Sequence, residues 1–547
     1  MNTRHLARLT ALVAGSVNGR RMMKDVRFVH GLDRRVSFDA FRQTVSHLAK
    51  AYAGVGADTA VYAVPTGAGA GSGRWIIPES YRLRRATASV VAPVRAPLLD
   101  SRRNPFHVAM FTGSTPPGGV TAPLVALDTP AAFEALTPGE LKGRLVLTVL
   151  QPRRFLDALR RSGAAGVLSD YPVPGSPDAV TWLKLGFGGL RPEHRDAPPV
   201  VLALSARQGS RLRAWLAAGR PVRLRVAVTA EHGPGVHEVL SAFVRGSDPG
   251  AGEVWASSHI MEPGALDNAS GTAVCLEIAR TLEGLMTAGL LPRPRRTIRF
   301  VHGYECFGPF ALFERERTRI RVHAGMILDA VGSRPGVSEG LLAWHAAVPQ
   351  ADTGPHGIGL ACLRAALRLR NPGYRLRALP FSPSSENLLG DPQFGFPCPW
   401  LTTCYKPGGR LYDAYHSQAD TVRLLDPAGL EVAAAAMGAC LYALAAEEEA
   451  PPRRVLPDRP GAWRRTQSLT PLADELPLPM AQELAGLDLP PWTLYWADGR
   501  RSDRAIRAAV ERDRGCAVSA SALARFFEWH RKVGFVERVP VVKRRRV

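Results

Sequence analysis

The chain has 547 residues, enough for two to four domains and at least one large core, and its hydrophobic share of 46% is ordinary for a soluble globular protein. No run of 18 or more apolar residues occurs, so neither a membrane-spanning helix nor a membrane partner is expected; seven cysteines, scattered and odd in number, argue against a disulfide framework and for a reducing, cytoplasmic compartment. The net charge of +22 is nearly all Arg, spread among Ala, Gly and Pro along the whole chain and concentrated only in the tail VVKRRRV, so nucleic acid is not expected as a partner.

The opening stretch MNTRHLARLTALVAGSVNG lacks a full apolar leader and a small-residue cleavage site, and reads as an ordinary helix. Residues 1–60 are helical in pattern, with SFDAFRQTVSHLAKAYAGVG carrying apolar residues at helical spacing and ending on Gly. A strand-rich stretch with frequent Pro and Gly follows to about residue 118. The texture changes again over 119–235: KGRLVLTVL is a buried-strand run, PRRFLDALRRSGAAGVLSDYP a helix, Gly turn and strand, and APPVVLALSARQGSRLRAWLAAG a strand then a helix. This is the pattern of a compact β/α module inserted into a larger domain.

Strands VHEVLSAFVRG and GEVWASSHI come next, then helix TAVCLEIARTLEGLMTAG, strands RTIRFVHG and AGMILDAVG, helix GIGLACLRAALRLR and the closing helix GLEVAAAAMGACLYALAAEE. Such alternation predicts a mixed, mostly parallel sheet sandwiched by helices. The domains expected are therefore 1–118 and 236–449 for the two parts of the main α/β domain, with the insert at 119–235 between them. A Pro- and Arg-rich linker at 450–475 leads to a winged helix at 476–547, whose helices are DRAIRAAVERD and SASALARFFEWHRKVG and whose strand is FVERVPVV. The aromatics of that module are read as core packing rather than a DNA-binding face.

In a parallel α/β sheet, sites gather where strands end. Here WASSH ends at His259, RFVHGYE at Glu305 and GMILD at Asp329, and the loop LYDAYHSQADT offers His416. Together with Asp267, placed by the small residues of GALDNASG, these make a set of nitrogen and oxygen ligands suited to zinc, with Asp267 as the carboxylate able to bridge two ions. His302, three residues before Glu305, reads as a packed strand histidine.

These motifs resemble the zinc aminopeptidase family (metallopeptidase family 28) that includes the bacterial leucyl aminopeptidases and glutamate carboxypeptidase. GALDNASG at 264–271, ECFG at 305–308, MILDAVG at 326–332 and YHSQADT at 415–421 occur in the family's order and at family-like separations. The match covers roughly 20–115 and 235–447, and the insert is similar to the protease-associated domain found within this family. The closest likeness is to a divergent bacterial branch that carries a C-terminal winged helix. The resemblance implies a zinc-dependent amide or peptide hydrolase with Glu305 as general base and with His259, Asp267, Asp329 and His416 as metal ligands. A small peptide or amide is the implied partner, and a homo-oligomer is compatible with it.

Three departures accompany the match. Met261 stands where the family has the Asp that orients the first His, with Glu262 next to it as the substitute; Cys306 stands where the family has the second metal-binding Glu; and Ser385-Glu386 replaces a Ser-Asp segment. A second metal would lean on Asp267 and His416 with Cys306 or Glu262; Cys306 is either a thiolate ligand or a small buried residue, and the second reading leaves that site only Asp267 and His416 and predicts one tightly held zinc. Glu386 and Tyr415 are the candidates for holding substrate. Two other functions fit the same residues: a tailoring amidohydrolase or transferase acting on a non-peptide amide, and a scaffold whose winged helix binds DNA or a protein.

Overall fold

The computed structural model describes residues 2–66, 79–186, 192–348, 354–381, 385–391, 395–447, 459–466 and 478–540. Three helices open the chain, α1 (Thr3–Ala14), α2 (Gly19–Asp33) and α3 (Phe38–Ala53). The side chains of Asn2 and Asn18 cap the first two by accepting from the Arg4 and Arg21 amides. Leu6, Leu9 and Val13, spaced three and four apart on α1, are buried along one face.

After β1 (Asp58–Thr66) the chain enters a second body. It holds β2 (Ser80–Ala92), β3 (Ala96–Asp100), β4 (Val120–Ala126), α4 (Pro130–Glu134), β5 (Leu145–Thr148), α5 (Leu156–Ser162), β6 (Gly166–Ser169), α6 (Pro192–Arg195), β7 (Val201–Ala203), α7 (Ala206–Ala217) and β8 (Arg223–Gly233). Its seven strands run β3-β2-β8-β4-β5-β6-β7, with β4 to β7 parallel and the other pairs antiparallel. The turn between α5 and β6 uses Gly163 at φ 74°, the left-handed position that ends a helix. The boundary read at residue 118 does not coincide with the edge of this sheet. Strands β2 and β3 lie ahead of it and join because β2 pairs along nearly its whole length with β8.

The remainder builds the main sheet: β9 (Gly235–Val244), β10 (Glu253–Ser257), α8 (Ala269–Thr287), β11 (Thr297–His302), α9 (Phe307–Glu316), β12 (Val322–Leu328), α10 (Pro335–Ser338), β13 (Leu341–His345), α11 (Gly354–Leu369), β14 (Arg375–Leu379), β15 (Trp400–Thr402) and α12 (Pro427–Ala446). The eight strands run β1-β9-β11-β10-β12-β15-β13-β14. At its centre β10 lies between β11 and β12, all three parallel, while β9 and β15 make antiparallel pairs further out. The mixed α/β architecture is thus as the alternation of elements required. Among the described residues one helix, α12, is long and apolar enough by composition to cross a membrane, yet it is almost wholly buried, packed by α1, α2, α8 and α11. An apolar surface on every side is what such a central core helix needs.

The C-terminal module comprises β16 (Trp463–Arg465), α13 (Leu478–Gly486), α14 (Asp503–Arg514), α15 (Ala520–Lys532) and β17 (Val536–Arg538). Its two-stranded sheet takes β16 from the segment expected to be linker and pairs it antiparallel with β17. On α15, Leu523, Phe526 and Phe527 are buried in the module's own core, which also includes Val348 and Phe381 of the main domain. A fully buried ion pair between Arg465 and Asp391 joins the two.

Candidate metal centre

The stretch after β10 explains its own composition. Gly264 has no room for a side chain, since a Cβ there would lie 2.2 Å from Asp420 Oδ2 and 2.4 Å from the Asp267 carbonyl oxygen. Asn268 caps α8: its Oδ1 accepts from the Gly271 amide (3.1 Å) and the Ala330 amide (3.2 Å), and its Nδ2 donates to the Leu328 carbonyl (3.1 Å). The side chain therefore staples the helix start to the end of β12. Ser270 Oγ donates to the Leu266 carbonyl (2.6 Å) and accepts from the Val331 amide (3.0 Å), and a Cβ on Gly271 would lie 2.2 Å from the Leu328 carbonyl oxygen.

Asp420, the acid of YHSQADT, holds the same loop from the other side. It accepts from the Leu266 amide (2.8 Å), the Asp267 amide (3.1 Å) and the Tyr412 hydroxyl (2.6 Å). Asp420→Asn would turn an NH₂ toward a donor, and is expected to lower the unfolding free energy by about 1–3 kcal/mol in a urea titration. An unchanged midpoint would show that the loop does not depend on this carboxylate.

Six of the residues named from the sequence converge. His259 Nε2 lies 3.3 Å from Asp267 Oδ1, 3.8 Å from Glu262 Oε2 and 3.9 Å from Asp329 Oδ1. His416 Nε2 lies 3.4 Å from Asp267 Oδ2 and 3.3 Å from Glu262 Oε2. Among the described residues, three trios have donor atoms within 4.8 Å of one another: His259, Asp267 and Asp329; Glu262, Asp267 and His416; and His259, Glu262 and Glu305. The backbone is bent to achieve this, with positive φ at Met261 (74°), Ala330 (53°) and His416 (49°), each a cluster residue or its neighbour.

Electrostatically the cluster is built for cations. Burial works against charge on His416, yet the Glu262 and Asp267 carboxylates overcome it and raise the imidazole to about 9. Burial likewise pushes Glu262 up, but Lys184, His416 and His259 outweigh it and hold the carboxyl well below its ordinary range. Lys184 is itself buried and is raised above the usual lysine value by Glu262, Tyr304 and Glu305 against the desolvation that would lower it. Imidazole and carboxylate donors in trios, with two histidines and a shared Asp, fit zinc by their chemistry.

The other residues fall as follows. Cys306 is fully buried, and among the described residues no convergent trio includes it. Glu262 does not stand behind His259 as an orienting acid. It shares the side of His259 Nε2, while the Nδ1 atom lies 3.4 Å from the Asn268 amide. Tyr415 stacks on His416 with ring centroids 3.8 Å apart. The Glu386 side chain lies outside the described residues. His302 is packed, its ring between the Tyr52 hydroxyl and the Ser258 carbonyl oxygen, both at 2.8 Å.

The sequence reading missed two groups. Cys404 is buried beside Asp329 and Asp267, and burial raises its thiol well above the usual value, as expected for a packed residue. Lys184, from the insert, lies 3.0 Å from Glu262 Oε1 and 4.0 Å from Glu305 Oε2. Neither sits in a motif, so nothing local could have marked it.

The family description Peptidase family M28 matches residues 248–337, the segment carrying His259, Glu262, Asp267, Glu305 and Asp329. No curated protein matches the chain. Solved structures share its fold. A putative peptidase from Clostridium acetobutylicum is 14% identical, covering 98% of this chain and 100% of that one with a TM-score of 0.55. A Peptidase M28 precursor from Shewanella amazonensis is 18% identical, covering 84% and 99% with a TM-score of 0.58. A zinc aminopeptidase from Bacillus subtilis is 16% identical, covering 79% and 96% with a TM-score of 0.57. The family match thus falls on the strand ends that form the cluster, and the chain shares the fold of these peptidase structures around them.

Proposed function

We propose that this protein is a zinc-dependent, aminopeptidase-like hydrolase that cleaves a peptide or amide bond at a two-ion centre. The observation that carries the reading is the division of Asp267, whose Oδ1 faces His259 and whose Oδ2 faces His416. A carboxylate shared in this way is what two neighbouring ions require. His259, Asp267 and Asp329 would hold one zinc, and Glu262, Asp267 and His416 the other. Zinc in such trios supplies Lewis acidity toward a carbonyl oxygen and toward the attacking water.

Glu305 is in neither of these trios, and its side chain is 11% exposed, which suits a group that exchanges protons with substrate. It would take the proton of the attacking water and return it to the leaving amine. Tyr415 and His416 line a cleft of about 660 Å³ between the insert and the main domain, together with Trp182 and Lys184 of the insert. This cleft gives a small peptide or amide its way in.

Glu262 takes over the part that Cys306 leaves open. Cys306→Ala is therefore expected to leave the zinc count of the purified protein unchanged by elemental mass spectrometry; loss of one ion would make the thiolate a ligand. The function itself is tested by measuring zinc per chain after dialysis and by assaying a panel of aminoacyl amides and dipeptides. A protein that keeps no zinc and hydrolyses none of them would be a scaffold, and the reading would fall.

A further inference from the structure

A lysine buried at the edge of a carboxylate cluster needs a reason, because removing an ammonium from water is costly unless the site returns the energy. The side chain of Lys184 is 5% exposed and comes from the insert, not from the sheet that carries the trios. Its Nζ donates to Glu262 Oε1 at 3.0 Å and lies 4.4 Å from the centre of the Trp182 ring. The other oxygen of the same carboxylate, Oε2, is the one 3.3 Å from His416 Nε2.

The geometry points to Lys184 as the positioning residue for Glu262, so that the insert completes the second metal site of the main domain. The need follows from the change at Cys306. A carboxylate at position 306 would come from the end of β11 beside Glu305, whereas Glu262 reaches the cluster from the turn that follows β10. Two contacts fix it. Behind it, Asp33 Oδ2 accepts from the Met261 amide at 3.2 Å, holding the left-handed turn at φ 74° from which Glu262 departs. In front, Lys184 engages one carboxylate oxygen and leaves the other turned to His416 and Asp267.

Lys184 takes Oε1 of Glu262 and lies 4.0 Å from Glu305 Oε2, while Oε2 of Glu262 is the oxygen that meets His416, so the ammonium leaves that oxygen to the trio with His416 and Asp267. The strip that carries it is tied to the His416 loop as well. The Trp182 amide donates to the His416 carbonyl at 2.7 Å, and the Gln418 amide to the Val180 carbonyl at 2.9 Å. The same strip of the insert thereby holds the backbone of one ligand and the side chain of another.

This inference rests on the two-ion reading above, and a chelator titration separates the two. Zinc retained per chain is measured at graded chelator concentrations for the wild type, Lys184→Met, Lys184→Arg and His416→Ala. The wild type should hold two ions. Lys184→Met should release one of them at about 10–100-fold lower chelator, the usual effect of losing a partner behind a ligand. The ion it loses should be the one lost in His416→Ala, and Lys184→Arg should largely restore it.

A single ion in the wild type would overturn the inference and leave a one-zinc hydrolase standing, whereas no zinc at all would remove the functional reading with it. Equal loosening of both ions, an unchanged titration, or a second ion bound more tightly in Lys184→Met would each overturn the positioning role. Should Lys184→Met fail to fold, Lys184→Gln, with nearly the same shape and no charge, gives the same comparison.

Discussion

Glu305→Gln is expected to retain the wild-type zinc content and to lose turnover by a factor on the order of 10²–10⁴, the usual contribution of a general base. The amide has nearly the shape of the carboxylate, and neither proposed metal trio uses Glu305, so the ions have no reason to leave. What disappears is the ability to accept a proton from water. The loss should fall on kcat, since proton transfer belongs to the transition state and not to substrate binding. Elemental analysis beside steady-state kinetics on one confirmed substrate decides the matter. A variant that turns over at the wild-type rate would clear Glu305 of the role, and one that also sheds zinc would make it a ligand.

Asp267→Ala is expected to strip both ions together. Of the candidate ligands it alone belongs to both trios, one oxygen toward each histidine. Without it, His259 and Asp329 remain on one side and Glu262 and His416 on the other, two donors where zinc takes three or four from protein and substrate. The loop itself should persist, because Asp420 holds it through the backbone amides of Leu266 and Asp267, which the substitution leaves in place. The purified variant should therefore be folded, with near-zero zinc and no turnover. Retention of one equivalent would mean that the two sites are not joined through this carboxylate.

Much of this centre could be read from the chain because it is built from strand ends. Parallel strands in an alternating α/β pattern end on one edge, so a His, a Glu and an Asp at the ends of β10, β11 and β12 must gather whatever the rest of the fold does. The Asn268 cap of α8 went unread, although Asn followed by small residues and an apolar run is how a helix starts. By contrast, Glu262 read as a stand-in for a missing orienting Asp, because in sequence it is only one place beyond that position. The turn at Met261 decides otherwise by swinging its side chain to the Nε2 side of His259.

The amino-acid order by itself determined the periodicities that make the elements, the sequence of strand ends that assembles His259, Glu305 and Asp329, and the Gly and Asn positions that only one local geometry satisfies. Only the tertiary structure decided which partners those elements meet. Strand β2 joins β8 across more than a hundred residues, β16 leaves the linker to pair with β17, and Lys184 crosses from the insert to Glu262, 78 residues away. The physical reason is the range of the forces. Dihedral preferences, capping and amphipathic spacing act within a few residues and leave a mark there. Strand pairing and buried ion pairs depend on distance in space, and a lone lysine between Leu183 and Leu185 looks the same in the chain whether it meets water or a carboxylate.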